Sequence, residues 1–370
     1  MPFDQAQQLP SIGVRGIIGM FFQALEQVDG QSWINRIANT FESNQDTETY
    51  VGLGMVPVMR EWLGGKQEKS FIQTSLKITN RDFEATLAIK NKDRRRDKTG
   101  QIAARIGELA QRAVAHDALL LSAVIDQGAT ASGQITIPGN TSASTVLAYD
   151  SNPLWYATHK VGSTTINNIV QANLSLISGI VGKSVGVGTP TNPSPAAMAQ
   201  AIIQAVAQMY GFTDDQGQPI NEFARDFVVM VPPTMAGAAV QAVKGQFLAL
   251  GYSNPLLTNI SPSTDEMKFT VIPNPRLTGT TQFYVFRADG AFKPLIRQVE
   301  AVTRSTSDEM AWGEEDNMPV GYGLVMKVLA EGSDHEFKNN EALFSVEKSG
   351  FIGVGRFDQA VQVVLSQTPQ

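Results

Sequence analysis

The chain has 370 residues, of which 42% are hydrophobic and 17% charged, with a net charge of −6 and a pI of about 5.2. Such a chain can bury a large core, and its acidic balance excludes a free-standing nucleic-acid binder held by phosphate contacts. The absence of cysteine excludes disulfides and thiolate metal sites. No apolar run approaches the roughly 20 residues that span a bilayer and the start lacks a signal-peptide pattern, so we expect a soluble protein made inside the cell.

The first part of the chain, Met1 to Asn44, is predicted to be an arm, followed by irregular structure from Thr47 to Gly65. Apolar residues near Trp33 need a partner surface, either on a neighbouring subunit or on the main body. Residues 66–96 alternate as strands do, and Thr79-Asn80-Arg81-Asp82 fits a turn between two of them. We therefore expect an extended hairpin that leads into the next element.

That next element is a long helix from Thr99 to Gly128. Apolar residues recur at helical spacing, and Asp97 or Thr99 can accept hydrogen bonds from the first turn. Gly128 can end the helix with a positive φ. The other faces of the helix carry the charged residues Arg105, Glu108, Arg112 and Asp117. This pattern predicts a helix with one buried side.

The remainder of the chain alternates between loops, an α/β unit and strands. Residues 129–147 indicate an exposed loop or small β flap, and residues 167–180 a helix. Ser194 caps a helix that has Pro195 at its first position, and its buried stripe is Met198, Ile202, Val206 and Met209. The segments at 295–303, 321–329, 342–347 and 360–365 alternate as C-terminal strands.

No catalytic, cofactor-binding or metal-ligating residue can be assigned from the sequence. Gly182-Lys183-Ser184 lacks the glycine that a phosphate-binding loop needs five residues earlier, where Ile177 stands. The three histidines are not spaced for a shared metal, and Asp334-His335-Glu336 is interpreted as a solvated turn. The alternative function is a cytosolic α/β enzyme that binds a phosphorylated ligand at Gly182-Lys183-Ser184.

The strongest charge pattern is a basic run at the end of the predicted hairpin, Arg94, Arg95 and Arg96. In an acidic chain, such a run meets an acidic patch on a partner more often than nucleic acid. The candidate patch is Glu314, Glu315 and Asp316. The alternative is a solvated strand end.

Several phrases, in this order along the chain, resemble the Mu-like prophage major head subunit and the Hong Kong 97-type bacteriophage capsid fold. They spread over about residues 50–365, and each is short. The phrases are Tyr50–Gly54 with Arg60-Glu61-Trp62-Leu63-Gly64, Leu76–Leu87, Tyr149-Asp150 with His159, Val228–Pro233, and Val271–Leu277. Where the family often has paired aspartates before its spine helix, this chain has Asp93 followed by Arg94-Arg95-Arg96.

The resemblance implies an α+β capsid fold whose parts match the predicted segments. Residues 1–50 would be the N-terminal arm and 51–98 the extended loop with its strands, where Trp62 becomes a candidate interface residue. Residues 99–169 would form the spine helix and following loop of the peripheral domain, 170–295 the axial domain, and 296–370 the strands that return to the peripheral domain.

The implied function is structural rather than enzymatic: a major capsid protein of a tailed bacteriophage or prophage. It would assemble with itself as pentamers and hexamers into an icosahedral shell around double-stranded DNA, without sequence-specific binding and without a cofactor or membrane. The implied partners are portal, scaffold and decoration proteins. The implied location is the virion capsid, assembled in the host cytoplasm.

Overall fold

The computed structural model describes residues 14–27, 33–53, 73–97, 100–140, 142–174, 188–245, 267–300, 318–319, 324–329 and 332–367. The fold is mixed α+β, as predicted. The helices are α1 Val14–Gln27, α2 Ile34–Ile37, α3 Asn91–Arg96, α4 Gln101–Gln127, α5 Pro195–Tyr210, α6 Ala236–Lys244 and α7 Asp334–Asn339.

The strands divide between two larger sheets and several two-stranded ribbons. The strands before α5 are β1 Ala38–Ser43, β2 Thr47–Leu53, β3 Gln73–Thr79, β4 Arg81–Lys90, β5 Gln134–Ile135, β6 Ser144–Thr145, β7 His159–Val161, β8 Thr164–Ile166, β9 Ile169–Asn173, β10 Gly188–Thr189 and β11 Asn192–Pro193. The later strands are β12 Asp226–Val231, β13 Lys268–Pro273, β14 Gln282–Arg287, β15 Leu295–Glu300, β16 Met318–Pro319, β17 Leu324–Leu329, β18 Glu341–Val354 and β19 Ala360–Ser366.

The six-stranded sheet is built around β18. Its order is β1-β15-β18-β17-β16, and β4 also pairs with β18. The first part of β18 pairs with β4 up to Gly350, and its last residues pair with β15. Gly350 is therefore the position at which β18 changes partners.

The predicted hairpin between β3 and β4 is wrong. β3 pairs with β2, which precedes it by about 25 residues, while β4 pairs with β18. Asn80 alone joins β3 to β4, so the chain passes from a two-stranded ribbon directly into the large sheet. Local alternation identified the strands, but pairing is decided by partners distant in sequence.

The five-stranded sheet has the order β13-β12-β14-β19-β9. β9 lies where residues 167–180 predicted a helix, so that prediction is wrong for its described part. β19 lies between β14 and β9, so the sheet order divides the segment 296–370 between the two sheets. The Ser194 hydroxyl accepts from the Ala197 amide at 3.2 Å at the start of α5, and the predicted stripe of α5 is buried.

The long helix α4 has 27 residues, close to the predicted bounds. The Asp97 carboxylate accepts from the amides of Gln101 and Ile102 at 3.3 and 3.0 Å, as predicted. Gly128 has φ −66°, so the predicted positive φ is wrong. A Cβ at Gly128 would instead lie 3.0 Å from the Cβ of Leu154, so this glycine permits close packing.

The two ends of α4 lie in two different hydrophobic clusters. Its N-terminal half, with Ile106 and Val114, packs with α1, β4, β17 and β18. Its C-terminal half, from Ala118 to Ile125, joins the cluster that contains the five-stranded sheet. That half is buried almost all round and Asp117 is buried too, so the expectation of a single buried side holds only for the N-terminal half.

Candidate assembly surface

The basic run forms the short helix α3 at the end of β4. Arg94 is buried, whereas Arg95 and Arg96 are exposed. The segment is fixed to α7, because Asn91 donates from its amide to the Asn340 carbonyl at 3.0 Å and from its side chain to Glu336 at 2.6 Å. The two exposed guanidinium groups are therefore carried by a backbone segment that is hydrogen-bonded to α7 and the residue after it. The other candidates, Trp62, Glu314, Glu315 and Asp316, lie outside the described residues.

The Asp334-His335-Glu336 segment is the first turn of α7, in which no residue is buried, so the predicted solvated turn belongs to a helix. The Ser333 hydroxyl accepts from the Glu336 amide at 3.2 Å, which caps the helix. His335 Nε2 lies 3.2 Å from a carboxylate oxygen of Glu341. Within α7, the Phe337 side chain is 89% exposed.

Two further aromatic side chains are exposed at one end of the five-stranded sheet. Phe223 is 74% exposed and Phe292 is 65% exposed. Their turns are joined by the Arg225 amide, which donates to Asp289 at 2.5 Å. Sequence reasoning missed both residues; the available signal was an aromatic residue in an otherwise polar, turn-forming segment. Exposed aromatic residues are common in surfaces that other proteins cover.

A buried group of charges lies between α4 and the six-stranded sheet. The Asp117 carboxylate contacts the Lys348 ammonium and lies 3.3 Å from an Arg297 guanidinium nitrogen. Arg297 also donates to the Thr40 hydroxyl at 3.1 Å. Burial lowers the pKa of Lys348, although Asp117 opposes that shift. The group ties α4 to β1, β15 and β18, and catalysis is not needed to explain it.

A second buried pair joins Asp150 to His159. His159 Nδ1 lies 2.8 Å from the Asp150 carboxylate, and its ring stacks on Phe357 at 3.8 Å between centroids. Burial opposes ionisation of Asp150, but hydrogen bonds from His159 and Asn152 lower its pKa to about 2. Both residues belong to the Tyr149-Asp150…His159 phrase, and the pair holds the segment after α4 against the C-terminal part of the chain.

His116 is half-buried within α4 and packs on Phe83, with ring centroids 4.3 Å apart. Burial and the nearby Lys348 lower its pKa to about 4. His116 is thus a packing residue.

Within the described ranges, no three His, Cys, Asp or Glu residues are grouped closely enough to hold a metal ion. Among the same residues, we find no helix whose length and hydropathy would let it cross a membrane. Gly182-Lys183-Ser184, the loop on which the alternative enzymatic hypothesis depends, lies outside the described residues.

Comparisons with known proteins place the strongest similarity in the N-terminal third of the chain. Residues 14–135 match the family described as Mu-like prophage major head subunit gpT. The major capsid protein of Escherichia phage Mu is 28% identical over 102 residues, which cover 28% of this chain and 33% of that protein. The match thus spans about a third of the curated relative.

Solved structures are similar over more of the chain at low identity. The procapsid protein of bacteriophage JBD30 is 17% identical, covering 96% of this chain and 74% of that one, with a TM-score of 0.44. The capsid protein of cyanophage P-SCSP1u is 13% identical, covering 90% and 87%, with a TM-score of 0.49. The region of this chain that is similar to the Mu-like prophage major head subunit gpT family, residues 14–135, contains α1, the β2–β3 ribbon, β4 and α4.

Proposed function

We propose that this chain is a major capsid protein of a tailed bacteriophage or prophage, with a structural and not an enzymatic role. The match of residues 14–135 to the major head subunit family carries the proposal. In this proposal, subunits assemble as pentamers and hexamers into an icosahedral shell that encloses double-stranded DNA. Closed symmetric shells need a surface patch that pairs with another patch on an identical chain.

The proposed fold is of the Hong Kong 97 type. The helix α4 serves as the spine, the six-stranded sheet as the peripheral domain, and the five-stranded sheet with α5 and α6 as the axial domain. The extended loop is proposed to lie within residues 51–98, which include β3 and the segment between β2 and β3. The packing of α4 supports this assignment, because its N-terminal half packs with α1, β4, β17 and the first part of β18, and its C-terminal half lies in the cluster that contains the five-stranded sheet. One helix thus contacts both of the proposed domains.

The proposed interface includes the exposed pair Arg95 and Arg96, which would meet Glu314, Glu315 and Asp316 of a neighbouring copy. The burial of Arg94 favours an internal role for that residue. Trp62, in the extended loop, is proposed to contact a neighbouring subunit as well. Portal, scaffold and decoration proteins are the further proposed partners, and the proposed location is the virion capsid, assembled in the host cytoplasm.

Electron microscopy and light scattering of the purified chain test the proposal. We expect closed shells, or ring-shaped pentamers and hexamers that convert to shells when a scaffold or crowding agent is added. A homogeneous monomer or dimer under every assembly condition would contradict a capsid role. Thermal stability unchanged by millimolar nucleotide would remove the alternative phosphate-binding enzyme.

A further inference from the structure

The ribbon of β2 and β3 contacts the six-stranded sheet at its base, the end where Thr47 pairs with Thr79. A two-stranded ribbon is marginally stable in water on its own. Residues Thr49, Ser75 and Lys77 are exposed, so much of the ribbon surface faces solvent. Whatever holds its base therefore decides the direction in which it leaves the sheet.

A buried glutamine of the six-stranded sheet lies at that base. Gln298, on β15, is 1% exposed. Its Oε1 accepts from the Tyr50 hydroxyl of β2 at 2.8 Å, and its Nε2 donates to Asn80 Oδ1 at 2.6 Å. The same nitrogen lies 3.4 Å from the Ile78 carbonyl of β3. One amide side chain thus contacts both strands of the ribbon and the residue that links the ribbon to β4.

Asn80 extends these contacts to the turn before the ribbon. Its side-chain nitrogen donates to the Gln45 carbonyl at 2.8 Å and to the Ser43 hydroxyl at 3.1 Å. Its backbone amide donates to the Asp46 carbonyl at 2.8 Å. Gln298 and Ser43 are buried, so a rotation of the ribbon that breaks their hydrogen bonds leaves buried polar groups unpaired, which favours one geometry.

Apolar packing beside the network restricts the ribbon in the same way. Ile78 is 4% exposed and lies over Gly353 of β18, where a Cβ would come within 2.4 Å of the Ile78 Cδ1. The bare glycine lets the ribbon approach the sheet closely. Apolar packing is not directional, whereas the hydrogen bonds of the Gln298 amide are, because they require particular distances and angles.

We propose that Gln298, with Tyr50 and Asn80, is a latch that sets the angle between the β2–β3 ribbon and the six-stranded sheet. Gln298 is a positioning residue in this proposal. The inference concerns the isolated subunit. In a shell, the angle of the ribbon would also decide where it meets a neighbouring copy, and this consequence alone rests on the proposed capsid function.

Distance measurements between spin labels test the latch on full-length, unassembled subunits. The chain has no cysteine, so Thr49→Cys on the ribbon and Gln111→Cys on α4 give a unique label pair at exposed positions. Gln298→Leu nearly keeps the side-chain size and removes the three polar contacts of the amide, while Tyr50→Phe removes one hydroxyl. We expect a displaced, wider distance distribution in Gln298→Leu and a smaller change in Tyr50→Phe.

Gln362→Leu is the matched control, because Gln362 is a buried glutamine of the other sheet that donates to Gln282 at 3.1 Å. It should leave the distribution unchanged. Ribbon amides should exchange with solvent roughly two- to tenfold faster in Gln298→Leu, the range expected for lost hydrogen bonds.

An unchanged distribution in both latch variants overturns the proposal, as does equal widening in the Gln362 control. If Gln298→Leu does not fold, Tyr50→Phe decides the question alone, since its hydroxyl lies on a half-buried side chain. Failure of the wild-type chain to form shells would overturn the capsid proposal without affecting this result.

Discussion

The carboxylate of Asp117, inside α4, contacts the ammonium of Lys348, on the strand at the centre of the six-stranded sheet. Both side chains are more than nine-tenths buried, and Arg297 lies on the other carboxylate oxygen. A buried charge that loses its partner is strongly destabilising. The helix and the sheet are therefore joined by an ion pair that cannot be broken from one side without a large cost.

We expect Asp117→Ala to lower the free energy of unfolding of the unassembled subunit by about 3–5 kcal/mol, because it leaves two cations without their carboxylate. Chemical denaturation measures the loss. Glu108→Ala is the control: Glu108 pairs with Arg105 at 2.8 Å, but both are largely exposed, so a change below about 1 kcal/mol is expected. Equal effects of the two variants would contradict the assigned role of Asp117.

Replacement by alanine should change the stability of the subunit in opposite directions at two glycines, Gly350 and Gly107. Gly350 has φ +152°, and a Cβ there would lie 2.4 Å from the Gln298 carbonyl oxygen, so Gly350→Ala should destabilise the subunit by about 1–3 kcal/mol. Gly107, within α4, has nothing within 4 Å of its virtual Cβ. Gly107→Ala should stabilise by up to about 1 kcal/mol, because alanine is the better helix former. Thermal unfolding of unassembled subunits measures the stability of both variants. A stabilising effect of Gly350→Ala would contradict the close approach of Gly350 to the Gln298 carbonyl.

Substitutions in the basic helix α3 should distinguish effects on folding from effects on assembly. Arg95→Glu reverses an exposed charge, so we expect an unchanged melting temperature and a loss of shells in electron micrographs. Reversal of Glu314, Glu315 and Asp316 to lysine should partly restore assembly if the proposed pairing is correct. Arg94→Ala is the contrasting variant, because its side chain is buried and its loss should lower the melting temperature. Normal shell formation by Arg95→Glu counts against the pairing.

The Asp150–His159 pair should make stability depend on acid. The pKa of Asp150 falls from its ordinary 3.8 to about 2 in the folded chain, so the pair's contribution is complete above pH 3.8 and is lost as pH falls through 2. The shift corresponds to about 2 kcal/mol. Asp150→Asn should lose this amount at neutral pH and show a flatter stability profile between pH 4 and 2. A profile parallel to that of the wild type would contradict the assignment.

Local chemistry allowed several elements to be predicted from sequence. The start of α4 follows from Asp97, whose carboxylate accepts from the first-turn amides, and the start of α5 from Ser194 and Pro195. The small flap after α4 is the β5–β6 ribbon. In each case the deciding interactions join residues that are a few positions apart, so residues close in the sequence are also close in the structure.

The errors have a common physical cause, which is contact across long separations in the chain. β4 shares its edge with β18, about 260 residues later, so nothing near β4 could identify its partner. Asp117 was assigned to a polar face because its partners Lys348 and Arg297 are similarly distant. Gln298 gave no signal at all, since a single polar residue in a strand usually faces solvent.

The position of β18 and β19 late in the chain has a consequence for synthesis. β18 is the strand to which β4, β15 and β17 pair, and β19 lies between β14 and β9. The six-stranded sheet therefore cannot close until β18, which ends at Val354, has left the ribosomal tunnel, and the five-stranded sheet cannot close until β19, which ends at Ser366, has left it. We expect both sheets to be completed only late in synthesis.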